Sequence, residues 1–199
     1  MKKIIPLLAA LAIVITSCQK EKSLEASQAS DIAGNWIFVS MSAKTKNVIE
    51  YDDGGDVMKS ITTSEYTTIN NKGGVKISGD KFISTGVGYD VSADAYAEMY
   101  ENGNLLTSLT MPFDFSVPSS SSQAPYIRVN ADSMYFTSGG FVDMGSGGIP
   151  SLPVGAKIKK DQNKLILTMN ILQTSTQDVM GMIQKITNEA TVVTTLQRQ

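Results

Sequence analysis

Few residues in this chain could do covalent or acid–base chemistry, and their types are restrictive. The 199 residues include one cysteine, Cys18, and no histidine. Without histidine there is no Ser-His-Asp or Cys-His arrangement, and the usual zinc ligand sets are missing. No P-loop and no dinucleotide-binding glycine fingerprint is present. The densest carboxylates are Asp52, Asp53 and Asp56 in YDDGGD. Glycines between acids could wrap a hard cation, but the spacing is not that of an EF-hand loop, and a polar turn between strands is the plainer reading. Glu98 and Glu101 could flank a sugar, yet nothing places either against a partner carboxylate at a defined distance. They read as the wet face of a strand. The expectation is a protein with no catalytic residue, no metal and no cofactor, and not an enzyme.

The cysteine is the exception, because of where it stands. Lys2 and Lys3 precede an unbroken apolar run from Ile4 to Ile15, followed by Thr16, Ser17 and Cys18 and then the polar stretch QKEK. A basic start, an apolar run and small residues before a cut make a secretory signal. The apolar run is too short to cross a bilayer: about 12 residues at about 1.5 Å each reach about 18 Å, against a hydrocarbon core of about 30 Å. Residues 15–18, ITSC, resemble the bacterial lipobox, an aliphatic residue and two small ones before a cysteine that is lipidated. The resemblance implies cleavage before Cys18 and attachment of more than one fatty acyl chain, of the palmitate type, to that residue. One chain is a marginal anchor and several are a firm one. A lone cysteine in an exported protein has no internal disulfide partner, so lipidation accounts for both its number and its position. The expected organisation is a signal peptide over 1–17, the lipidated cysteine with a flexible tether over 18–30, and one domain over 31–199. The expected location is the cell envelope, lipid-anchored to the outer membrane on its periplasmic or cell-surface face. Loss of Lys2 and Lys3 leaves 15 basic and 19 acidic residues, a net charge of −4. No run of basic residues stands in the mature chain, which argues against nucleic acid and against an electrostatic hold on anionic lipid.

Beyond Ile32 the elements are strands. Val, Ile, Thr, Tyr and Phe are frequent and turn residues recur at short intervals. Leu105, Leu109, Met111, Phe113, Phe115 and Val117 fall on one face of a strand, with Ser108, Thr110, Asp114 and Ser116 on the other; a period of two predicts one buried and one wet face. Ile83, Val87, Tyr89 and Val91 repeat the pattern. Asn102-Gly103 marks a tight hairpin. Three segments share a template: VKISGDKFIST (75–85), IRVNADSMYFT (127–137) and IKKDQNKLILT (158–168). Each has Asp or Asn sixth (Asp80, Asp132, Asn163) and a large apolar residue eighth (Phe82, Met134, Leu165), and each reads as strand, polar turn, strand. One helix is expected near the end: Ser175 with Asp178 as a capping box, then Val179, Met182, Ile183 and Ile186 at helical spacing.

Gly34-Asn35-Trp36 opens the first strand, and Arg198 stands late on the last. This layout resembles the lipocalin-like lipoproteins of bacteria, whose first strand opens with Gly-x-Trp and whose late arginine packs over that tryptophan. The resemblance implies an all-β, antiparallel up-and-down barrel of eight to ten strands, with one helix before the last, closed at one end by Gly34, Trp36 and Arg198. A Gly-, Ser- and Pro-rich loop over 138–155 carries Phe141, Met144, Ile149 and Leu152, apolar side chains that could form a lid over a ligand. Such a barrel either holds one small ligand or is filled by its own side chains. The expected function is accordingly the binding of a small apolar ligand at the envelope. The alternative is a filled-core lipoprotein that docks a protein partner.

Overall fold

A computed structural model describes residues 31–141 and 153–199. They form nine antiparallel strands: β1 (Gly34–Asp53), β2 (Asp56–Thr67), β3 (Ile69–Ser78), β4 (Lys81–Glu101), β5 (Asn104–Asn130), β6 (Ser133–Phe136), β7 (Val154–Asp161), β8 (Lys164–Val179) and β9 (Met182–Arg198). β2 and β3 act as one long strand bent at Thr68. β3 pairs with the start of β1, β2 with its end, and both pair with β4. From β4 each strand pairs with the next in sequence as far as β9, and β9 returns to pair with β1 from Trp36 to Tyr51. The sheet therefore closes into a ring.

Among the described residues the ring is complete over only half of its height. β6 has four residues and β7 eight, whereas β5 has 27 and β8 sixteen. At one end the turns between β3 and β4, β5 and β6, and β7 and β8 meet the start of β1 and the end of β9. Here the core is dense: Trp36, Phe38, Phe82, Phe136, Phe141, Met134 and Leu165 are all at most 2% exposed. Toward the other end, β5 over 104–121 and β8 over 170–179 each have one strand neighbour among the described residues.

The three template segments are three hairpins at the closed end. Ser78 pairs with Lys81, Asn130 with Ser133 and Asp161 with Lys164. The sixth residue does the same work in each: the carbonyls of Asp80, Asp132 and Asn163 accept from the backbone N–H of Tyr126, Ile158 and Arg198, at 2.7 Å in all three. The eighth residues, Phe82, Met134 and Leu165, are all buried in the one core. Asn102-Gly103 is a two-residue turn with φ of 50° and 82°.

Three readings need correction. No helix occurs over 175–186; β8 and β9 form a hairpin in which Ser175 pairs with Ile186 and Val179 with Met182. Met180 and Gly181 take φ of 57° and 86°, the left-handed turn that a right-handed helix forbids. Asp178 is no capping-box partner: its carboxylate accepts from the Gly181 N–H at 2.8 Å and ties the turn. Apolar residues at i, i+3 and i+4 mimicked helical spacing because a turn interrupted a strand period. The second correction concerns Ile83. A register shift between Ser84 and Val87 switches faces, so Phe82 and Ser84 point inward with Val87, Tyr89 and Val91, and Ile83 does not. The third concerns the apolar stripe of β5. Val117 is buried and Phe113 and Phe115 are half-buried, but Leu105, Leu109 and Met111 are exposed. β6 and β7 are too short to wall that stretch.

Candidate functional site

The residues expected to close one end of the ring meet there. The Arg198 guanidinium carbon lies 5.3 Å from the centre of the Trp36 ring. Arg198 Nη2 donates to the Ala33 carbonyl at 3.0 Å, and Trp36 Nε1 donates to the Ile32 carbonyl, also at 3.0 Å. Both side chains thus tie down the segment entering β1. Gly34 has φ of 137°, and a Cβ there would stand 3.2 Å from Arg198 Nη2. The backbone conformation favours glycine at this place, and the guanidinium adds a close contact to any Cβ.

Beside this pair, Asp31 lies 3.7 Å from both Arg128 Nη2 and Lys160 Nζ. Lys160 Nζ also donates to the Asp31 backbone carbonyl at 3.0 Å, and Arg128 Nη2 to that of Ala131. The domain's first described residues are therefore fastened to this end by charge as well as by packing.

The interior above the closed end is aromatic. Tyr66 contacts Phe113 at 5.9 Å and Phe115 at 5.8 Å, and Tyr89 contacts Phe115 at 6.3 Å. Burial pushes the Tyr66 phenol up from its ordinary pKa. Tyr126 is likewise pushed up, first by burial, and donates to the Gly79 carbonyl at 2.9 Å. Phe113 and Phe115 stay half-exposed, so this aromatic floor opens toward the incomplete side of the ring.

A groove of about 1010 Å³ lies on the outer face. Two neighbouring rows of side chains cross six strands to line it. One row runs Asn170, Thr191, Lys44, Glu65 and Asp94; the other runs Leu172, Glu189, Lys46, Thr63, Tyr96 and Thr110. Lys44 Nζ lies 3.3 Å from Glu65, both side chains well exposed. Thr191 Oγ1 donates to Asn170 Oδ1 at 3.0 Å. No spacing in the sequence marks this groove, because its rows are assembled from six separate segments.

The other candidates disperse. Phe141 is 1% exposed, with its ring 4.8 Å from that of Phe82 and 5.7 Å from that of Phe136, so its side chain belongs to the core. Met144, Ile149 and Leu152, named with it as possible ligand-loop residues, lie outside the described residues, as does Cys18 with its signal and tether. In YDDGGD, Asp52 accepts from the Gly55 N–H at 2.9 Å and Asp56 from Asn102 Nδ2 at 2.8 Å. These carboxylates hold the β1–β2 turn and bind it to the β4–β5 turn. Among the described residues no three potential ligands gather as a metal site.

No family model and no curated protein matches the chain. Among solved structures, the translocator domain of the autotransporter NalP from Neisseria meningitidis aligns over 86% of this chain and 92% of that one, at 8% identity and a TM-score of 0.23. That likeness is too slight to carry an argument.

Proposed function

We propose that the chain is a lipid-anchored envelope lipoprotein whose domain is a lipocalin-like barrel with a filled core, serving to dock a protein partner rather than to carry a small molecule. The filled closed end is the observation behind this reading. Seven large side chains from four strands and the segment after β6 occupy the interior with at most 2% exposure each, which leaves the outer face and its groove as the place for recognition. The lipid on Cys18 rests on the lipobox resemblance, and the lipocalin comparison rests on the Gly34, Trp36 and Arg198 arrangement. Two experiments address the two parts. Metabolic labelling with radioactive palmitate should mark the chain and should fail for Cys18→Ser; labelling of that variant would remove the anchor. Crosslinking in cells should trap one reproducible partner through the outer face, and its absence at native expression would count against docking.

A second reading has its own observation. The half-exposed Phe113 and Phe115 beside Tyr66 form an apolar floor at the open side of the ring, suited to a small apolar ligand above the filled half. Native mass spectrometry of the domain from a bacterial envelope separates the readings: a reproducible added mass, lost on solvent extraction, favours the ligand, and bare protein favours the partner.

A further inference from the structure

The linear chain has no basic run, yet folding gathers its cations. Residues 31–36, 76–82, 128–133, 157–165 and 197–199 meet at the closed end and contain eight basic and four acidic residues, a net of +4. The remaining described residues contain five basic and twelve acidic, a net of −7. The domain is therefore strongly polarised along its long axis. The repeated hairpins produce this: Lys76 and Lys81 flank the first turn, Arg128 precedes the second, and Lys159, Lys160 and Lys164 surround the third. Except for Arg128, which is turned inward to Asp31, these side chains are exposed. Asp31 is held between Arg128 and Lys160, so one of the four local carboxylates is already compensated.

The same end receives the tether. The chain enters the domain at Asp31, and residues 19–30 lead there from Cys18. Twelve residues of unstructured chain in general span about 20 Å. A lipid on Cys18 would thus keep the basic end within a few Debye lengths of the bilayer, each about 8–10 Å at ordinary ionic strength. Near an anionic surface each lysine or arginine is attracted and each carboxylate repelled, so a polarised body turns its positive end down.

We propose that the basic closed end is a docking surface for the anionic headgroups of the membrane that holds the tether. The domain then stands with Trp36 and Arg198 toward the bilayer and its acidic hairpin tips pointing away, the outer groove clear of the surface. The position of the tether rests on the lipoprotein reading; the charge of the surface does not.

The test uses residues 19–199, which retain every described strand and the whole described core and lack the lipidation site. Vesicles of phosphatidylcholine alone, and of phosphatidylcholine with phosphatidylglycerol, are sedimented with the protein at low ionic strength. Binding to the anionic vesicles only, released by added salt, is expected. The double variant Lys159→Glu with Lys164→Glu should lower the partition about tenfold or more. The same charge change elsewhere, Lys72→Glu with Lys185→Glu, should leave it within about twofold. Emission from Trp36 checks that both variants are folded, and Lys76→Gln with Lys81→Gln replaces the first pair if it is not. Equal binding to both vesicle types, or equal loss in the control pair, overturns the proposal. Retention on duplex DNA or RNA through the same lysines and with equal strength would reassign the surface to polyanions in general. Failure of palmitate labelling at Cys18 would remove the anchor without altering the vesicle result, so the two ideas fail separately.

Discussion

Replacing Gly34 by alanine tests how the ring is closed. The residue sits at φ of 137°, and the new Cβ would stand 3.2 Å from Arg198 Nη2. A side chain held in such a backbone region costs about 1–3 kcal/mol. The guanidinium must also give way, which puts at risk its contact with the Trp36 ring, worth about 0.5–1 kcal/mol at an exposed site, and its bond to the Ala33 carbonyl. The expected total is about 2–4 kcal/mol, or a loss in Tm of about 5–12 °C for a domain of this size. The chain has one tryptophan, and it is the one under Arg198. Urea unfolding followed by its fluorescence therefore reads the perturbed site and global unfolding in one signal. Arg198→Leu alone should cost about 1–2 kcal/mol through loss of the cation–ring contact and the hydrogen bond. Because the atom met by the new Cβ is the far end of a flexible side chain, most of the Gly34→Ala cost belongs to the backbone. The double variant should then be additive to within about 1 kcal/mol. A Gly34→Ala protein within about 0.5 kcal/mol of the parent would refute the argument. So would coupling large enough to abolish its cost once Arg198 is gone.

Other outcomes follow from the same geometry. Phe82→Ala removes a ring that touches Tyr126, Phe136 and Phe141 at 5.1, 5.2 and 4.8 Å; it should cost about 3–5 kcal/mol in a denaturant titration. Gly181→Val forces a β-branched residue to φ of 86° at the β8–β9 turn; a loss of about 1–3 kcal/mol is expected, whereas a true helix over 175–186 would have been stabilised by the same change. The raised phenols of Tyr66 and Tyr126 favour the neutral form in the folded state. Their contribution to stability is complete below the unfolded value, about pH 10, and is lost as pH rises through the higher folded values. Tyr100 is also raised but lies outside the core, so alkaline titration by ultraviolet absorbance should show three late tyrosines, of which Tyr66 and Tyr126 ionise together with unfolding; ordinary titration of all seven would refute this.

The strands, the Asn102-Gly103 turn and the three template hairpins were legible because each depends on neighbours in sequence: alternation sets faces, and Asp80, Asp132 and Asn163 stand at turns. The false helix shows where that logic stops. Ser175 through Ile186 fits helical spacing and a hairpin equally well on paper, and pairing with β1 along β9 decided between them. Strand length decided more. Nothing in the sequence of Leu109 or Met111 says that β6 and β7 end too soon to cover them. Bulges did the rest: the register shift before Val87 moved Ile83 off the inner face.

For this chain, composition and local order alone determined an antiparallel β domain in a sequence that has no histidine and a single cysteine. Those follow from residue type and spacing, which survive any fold. Only the tertiary structure decided where the interior is filled, which side of the ring is incomplete, and which distant rows form the outer groove. It also decided the polarity. Half of the closed end's cations stand together at 157–164 and the rest are spread over three other segments, but antiparallel hairpins return to the same end at every second turn, so residues beside alternate turns become neighbours and their charges add.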